Sequence, residues 1–119
     1  MIFVKHQDVR PVYSVWLSRD GEKCFGPGIA MLMEGIKRTG SLSSAAKDIG
    51  MAYSKAWRIM KRSEELTGCK LLISHAGGAH GGGASLTEEG ERLLSDFTAF
   101  RRDIDDCIER AFQKYFGRI

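Results

Sequence analysis

The 119-residue chain carries little of what ties a small protein to a membrane, a metal or a covalent framework. Its three cysteines, Cys24, Cys69 and Cys107, are widely spaced and odd in number. They fit neither a disulfide framework nor a CxxC zinc site, which leaves reduced, partly buried thiols. A metal site built from Cys69, His75 and His80 lacks a fourth ligand and a recognisable ligand spacing, so no metal or cofactor is expected. No run of about 18 apolar residues exists, so no membrane span is expected. The first ten residues, "MIFVKHQDVR", carry charges and no long apolar core. That excludes a secretory signal and places the protein in the cytoplasm. No carboxylate pair, Ser–His–Asp set or Cys–His set stands out, so an enzyme is not expected. The glycine-rich "HAGGAHGGGA" lacks the GxxxxGK[ST] order and leads into Glu88 and Glu89, which repel phosphate. A nucleotide loop is thereby disfavoured.

What is present is an uneven distribution of charge. The net charge is only +3. Residues 37–70, however, hold Lys37, Arg38, Lys47, Lys55, Arg58, Lys61, Arg62 and Lys70 against Asp48, Glu64 and Glu65, a local balance of +5. Residues 86–112 balance at −4. A positive segment of this kind suits a polyanionic partner. Apolar residues make up 43% of the chain, enough for a small core, and at this size a dimer interface adds burial.

The order of elements follows from local signals. "VYSVWLS", residues 12–18, is rich in β-branched and aromatic types and predicts a strand; "RDGEK" supplies an Asp–Gly turn and "CF" a short return. After "GPG", the positions Ile29, Leu32, Met33 and Ile36 recur at helical spacing to Arg38, and Thr39–Gly40 closes that helix. Ser41, Ser43 and Ser44 offer N-cap oxygens to a short helix running to about Ile49. Gly50 turns the chain, and a second helix runs from about Ala52 to Thr67. "KLLIS" and "SLT" predict strands on either side of the glycine loop. Thr87, followed by Glu88 and Glu89, caps a long helix from about Glu88 to Phe116. Along it, Leu93, Phe97, Phe100, Ile104, Cys107, Ala111 and Tyr115 step by 4, 3, 4, 3, 4 and 4. This is close to a heptad seam and calls for a partner face, either within one subunit or across a dimer.

On a helical wheel, Tyr53, Ala56, Trp57, Ile59, Met60, Ser63 and Leu66 share one arc, with Trp57 expected as a core anchor. Ser54, Lys55, Arg58, Lys61, Arg62 and Glu65 share the other. A short small-sided helix, a glycine turn and a basic helix form a helix-turn-helix, whose second helix enters the major groove. Lys55 and Arg58 are the expected base contacts, Ser54 meets a base or a phosphate, and Tyr53 stands beside them. Lys61 and Arg62 lie further along, toward phosphates. Ser41, Ser43 and Ser44 sit where hydroxyls meet backbone phosphate. The loop 75–83 reads as a wing whose Gly77 and Gly78 permit close approach to backbone or minor groove. His75 and His80 flank it, either solvated or, when protonated, touching phosphate.

The stretches "GPGIAMLMEGIKRTGSLSSAAKDIGMAYSKAWRIMKRSEELTG" and "LLISHAGGAHGGGASLTEEGERLL" resemble the DNA-binding domain of the molybdate-responsive ModE family. The likeness covers about Gly26 to Leu94 and is carried by "TGSLSSAA", "GMAYSKAW" and the glycine wing before "LTEEG"; LysR-type regulators share the "GSLSSAA" style. The resemblance implies a winged helix-turn-helix that dimerises and binds a palindromic operator. In that family two oxyanion-binding domains follow. This chain ends at Ile119, so a stand-alone form without the oxyanion-binding domains is expected, for which an oxyanion effector is doubtful. Ala52 stands where a hydroxyl cap would start the second helix better. The expectation is an α+β, mostly α fold: residues 1–87 a winged helix-turn-helix with N-terminal strands, residues 88–119 a dimerisation helix. A winged-helix module that binds protein instead of DNA, and a small redox or metal sensor, are the alternatives.

Overall fold

The computed structural model describes residues 9–75 and 83–117. Two strands come first, β1 (Leu17–Arg19) and β2 (Glu22–Phe25). Three helices follow: α1 (Pro27–Thr39), α2 (Leu42–Asp48) and α3 (Tyr53–Thr67). A second hairpin, β3 (Leu72–His75) with β4 (Gly83–Leu86), leads into α4 (Glu88–Phe116). This is the expected winged helix-turn-helix with an N-terminal hairpin and a long last helix. No helix among the described residues is long and apolar enough to cross a membrane.

The first hairpin turns at Asp20–Gly21, both with positive φ, the backbone that suits the twist of paired strands. Its first strand is shorter than the alternation of residues 12–18 predicts. Only Leu17–Arg19 pair with β2, because β2 has four residues and the chain then enters α1. A strand needs a partner as well as a pattern. Residues 12–16 keep an alternating exposure but make no ladder among the described residues.

Pro27 opens α1 at a position where its missing N–H costs nothing, two residues ahead of the periodic apolar run. Leu32, Met33 and Ile36 are fully buried and meet Phe25, Met60 and Leu71 in one core. Gly35 lets α2 approach closely: a Cβ there would lie 2.7 Å from the Ala45 Cβ and 3.1 Å from its Cα. The small residues Ala45 and Ala46 are buried, and the close approach that Ala45 permits is to the preceding helix α1. Ser41 caps α2 by accepting from the Ser44 N–H at 3.0 Å. Gly50, at φ 70°, turns the chain from α2 toward α3.

The hairpin β3–β4 is fastened at its root. Leu72 pairs with Leu86 and His75 with Gly83, in unbroken antiparallel register. The Ala84 N–H donates to the Gly40 carbonyl at 2.8 Å, joining β4 to the α1–α2 turn. Glu64 of α3 accepts from the N–H groups of Leu71 and Leu72 at 2.8 and 3.1 Å. Burial works against the Glu64 charge, yet these two donors and the Lys61 ammonium outweigh it and hold the carboxyl below its ordinary range.

Thr87 caps α4, accepting from the Gly90 N–H at 2.9 Å, and three glutamates occupy the first turn, where the helix dipole favours them. Leu94 and Phe97 bury against the core, and Phe97 meets Phe25 edge-on at 5.1 Å. Beyond that point α4 runs past the body, and from Ala99 to Ala111 no residue is buried. Ahead of β1 the chain also touches this helix: the Tyr13 hydroxyl donates to Asp105, and the Arg101 guanidinium lies 5.1 Å from the Tyr13 ring.

Candidate nucleic-acid interface

The buried side of α3 is narrow. Ala56, Met60 and Ser63 face the core, and the Ser63 hydroxyl donates to the Cys24 carbonyl at 2.5 Å. Ile59, Lys61, Glu64, Leu66 and Thr67 are part-buried, and the other residues of the helix are exposed. Ser54, Lys55 and Arg58 are all exposed in its first two turns. Among the described residues, neither Lys55 nor Arg58 carries an ion pair. No side chain caps α3, because Ala52 has no oxygen to offer, so the N–H groups of the first turn face outward with them.

The other two cations of this helix are committed within the chain. Arg62 donates to both Glu22 oxygens at 2.7 Å and to Glu65 at 3.0 Å. The bidentate Arg62 contact lowers the Glu22 carboxyl, and the Arg62 guanidinium is raised in return. This ties α3 to the first hairpin, alongside a bond from Arg19 Nη1 to the Leu66 carbonyl at 3.0 Å. Lys61 pairs with Glu64 at 3.4 Å and stands 5.7 Å from the Trp57 ring centroid. The sequence places Lys61 and Arg62 further along the helix, toward phosphates, without an intramolecular partner for either. The structure supplies a partner to both; Glu22 is forty residues away in the chain and meets Arg62 only in the fold.

Trp57 is the clear departure from the sequence reading. It is 47% exposed, and Tyr53 one turn earlier is 53% exposed. The apolar arc of the wheel spans about half the helix, while the core it meets is narrower than that. Its Tyr53–Trp57 edge overhangs solvent, facing the root of the second hairpin. There, Trp57, Tyr53 and Lys61 line a shallow notch of about 90 Å³ with Ser41, Ser43, Ser74 and Gly83.

The serines are divided in the same way. Ser41 spends its side-chain oxygen on the α2 cap, whereas Ser43 and Ser44 are exposed. His75, at the end of β3, has its Nε2 2.9 Å from the Ser85 hydroxyl. Gly77, Gly78 and His80 lie outside the described residues. Among the described residues no group of three His, Cys, Asp or Glu side chains is placed to hold a metal ion. Cys24 is buried and Cys69 partly so; Cys107, expected to be covered, is exposed. Its seam position on α4 has no covering element in the monomer.

The arrangement presents an exposed cationic helix with an open first turn, flanked by hydroxyls on α2 and by a two-stranded wing. Comparison with known proteins agrees with that geometry. The model of the family described as "Bacterial regulatory helix-turn-helix protein, lysR family" matches residues 31–91. The chain is 34% identical to the molybdenum-pterin-binding protein MopB of Rhodobacter capsulatus over 107 residues, 90% of this chain and 39% of that protein. It is 31% identical to the molybdenum transport protein ModE of Azotobacter vinelandii, over 70% of this chain and 31% of the relative. It is 40% identical to the DNA-binding transcriptional dual regulator ModE of Escherichia coli K12, over 53% of this chain and 24% of the relative. The chain thus spans well under half the length of these relatives.

Proposed function

The chain belongs to the lysR family of bacterial regulatory helix-turn-helix proteins, and on that premise we propose that it binds double-stranded DNA sequence-specifically as a homodimeric transcriptional regulator. The observation that carries the reading is the exposed trio Ser54, Lys55 and Arg58 at the uncapped start of α3, without a side-chain partner among the described residues. An α-helix fits the major groove, and side chains of its first turns reach base edges. Lys55 and Arg58 read bases there, Arg58 through a guanidinium fork that matches guanine. Ser43, Ser44, the α3 N–H groups, Lys61 and the wing 75–83 hold phosphate and sugar. Arg62 acts within the fold instead, bracing α3 against the first hairpin.

Residues 1–87 form the DNA-binding unit and residues 88–119 the dimer helix. Support for the dimer comes from α4, where Phe100 and Tyr115 are 44% and 57% exposed on the heptad seam. An isologous pairing of two such helices would cover that face and set the half-sites a fixed distance apart, which is the geometry of a palindromic operator. An oxyanion effector forms no part of the proposal.

The test is selection of bound fragments from a random duplex pool, followed by gel-shift titration of the selected duplex at several salt concentrations. A palindromic consensus and an affinity that falls steeply with salt are the expected results. Absence of any shift at low salt would overturn the reading and favour a winged-helix module that binds protein.

A further inference from the structure

We propose that Trp57, with Tyr53 one turn before it, seats the sugar–phosphate backbone of the DNA strand that passes between α3 and the wing. The inference rests on the DNA-binding reading and adds to it a contact residue that the sequence had consigned to the core.

Both rings are about half exposed, although large aromatic side chains ordinarily bury most of their surface. Each ends in a polar tip, and among the described residues neither the indole N–H nor the Tyr53 hydroxyl has a hydrogen-bond partner. Lys61 continues the row. Tyr53, Trp57 and Lys61 follow one another at four-residue steps, so the stripe runs about 12 Å along one flank of the helix. The Lys61 ammonium is 5.7 Å from the indole centroid.

Across the notch stand the hydroxyls of Ser41, Ser43 and Ser74, from α2 and β3. No carboxylate lines it; Glu64 of α3 accepts the Leu71 and Leu72 N–H groups on Oε2 and pairs through Oε1 with the Lys61 ammonium at 3.4 Å, a part-exposed pair at the edge of the notch. The wall is therefore apolar ring, N–H, hydroxyl and ammonium. That set suits a phosphodiester and its deoxyribose: the ring covers the sugar, and the donors meet the anion. Trp57 precedes Arg58 by one residue and so points about 100° away from it around the helix, toward the wing and away from the base-reading face. The contact it makes is accordingly independent of sequence.

Acrylamide quenching and affinity measurements together test this. Wild type and Trp57→Phe are compared with and without a saturating selected duplex, the difference isolating Trp57 from Trp16. We expect DNA to shield Trp57 severalfold from acrylamide. We expect Trp57→Ala to weaken binding of the selected duplex and of a random duplex by the same factor, severalfold, with the far-UV spectrum and melting temperature retained. Tight duplex binding with Trp57 still fully accessible to acrylamide overturns the inference and leaves the regulator reading standing. A loss confined to the selected duplex overturns it as well, since that marks a base contact. Failure of wild type to bind any duplex overturns both readings at once.

Discussion

Glu64 links the recognition helix to the wing, and its removal has a calculable cost. Its side chain is 12% exposed and accepts two backbone N–H groups that open β3. Hydrogen bonds to a charged group contribute about 1.5–3 kcal/mol each, and burying the carboxylate offsets part of that. The Lys61 contact adds little at such a partly solvated distance. The net expectation for Glu64→Ala is a loss of about 2–3 kcal/mol, with the Leu71 and Leu72 N–H groups left without their acceptor. For a chain of this length that lowers the melting temperature by about 10 °C at fixed protein concentration. The pH dependence has a definite sign. The folded pKa lies below the unfolded one, so the unfolded state binds the extra proton, and stability rises with pH through that interval. The contribution is fully present above the ordinary carboxylate range and is lost as pH falls through the depressed folded value. The melting gap between wild type and Glu64→Gln should therefore be constant from pH 7 to about pH 5 and narrow as the pH falls below the ordinary carboxylate range. Thermal denaturation followed by circular dichroism measures it. A shift under 2 °C for the alanine variant at pH 7, or a gap independent of pH, would refute this account.

Other outcomes follow from the same geometry. Arg58→Ala should weaken binding to the selected duplex by about 1–3 kcal/mol and relax specificity at one base pair; equal loss on random DNA would make it a phosphate contact. Arg62→Ala should change duplex affinity much less than Arg58→Ala in the same gel-shift series, because its guanidinium is held by Glu22 and Glu65. Gly35→Val should destabilise the fold by about 1–3 kcal/mol or more in urea titration, since the added atoms meet Ala45 with no room to move. Phe100→Asp should shift the protein toward monomer in sedimentation equilibrium and abolish tight binding to a two-half-site duplex while leaving the circular dichroism spectrum intact. An unchanged dimer would place the interface elsewhere.

How much was legible in the residues depends on how local each signal is. The bounds of α4 are set by Thr87 and the glutamates after it, and they agree with expectation from Glu88 to Phe116. Gly40 and Gly68 end α1 and α3 in the left-handed conformation that the sequence marks with glycine. Ser41 caps α2 as its position after Thr39–Gly40 indicates. These are interactions within a few residues, so composition and spacing determine them. The alternation of residues 12–16 predicts a strand, but alternation does not supply the neighbouring chain that a ladder requires.

The candidate site divides along the same line. That α3 is basic, exposed on one side and preceded by a short small-sided helix was determined by the sequence alone, through helical periodicity and the sizes of Ala45 and Ala46. Which cations remain available was decided only by tertiary structure, because Glu22 reaches Arg62 across a fold, while Lys55 and Arg58 have no ion pair among the described residues. The exposure of Trp57 was decided there too. A wheel gives the direction of a side chain, while the width of the core it faces depends on how α2 and the second hairpin close around α3, and those contacts join residues that no local pattern relates.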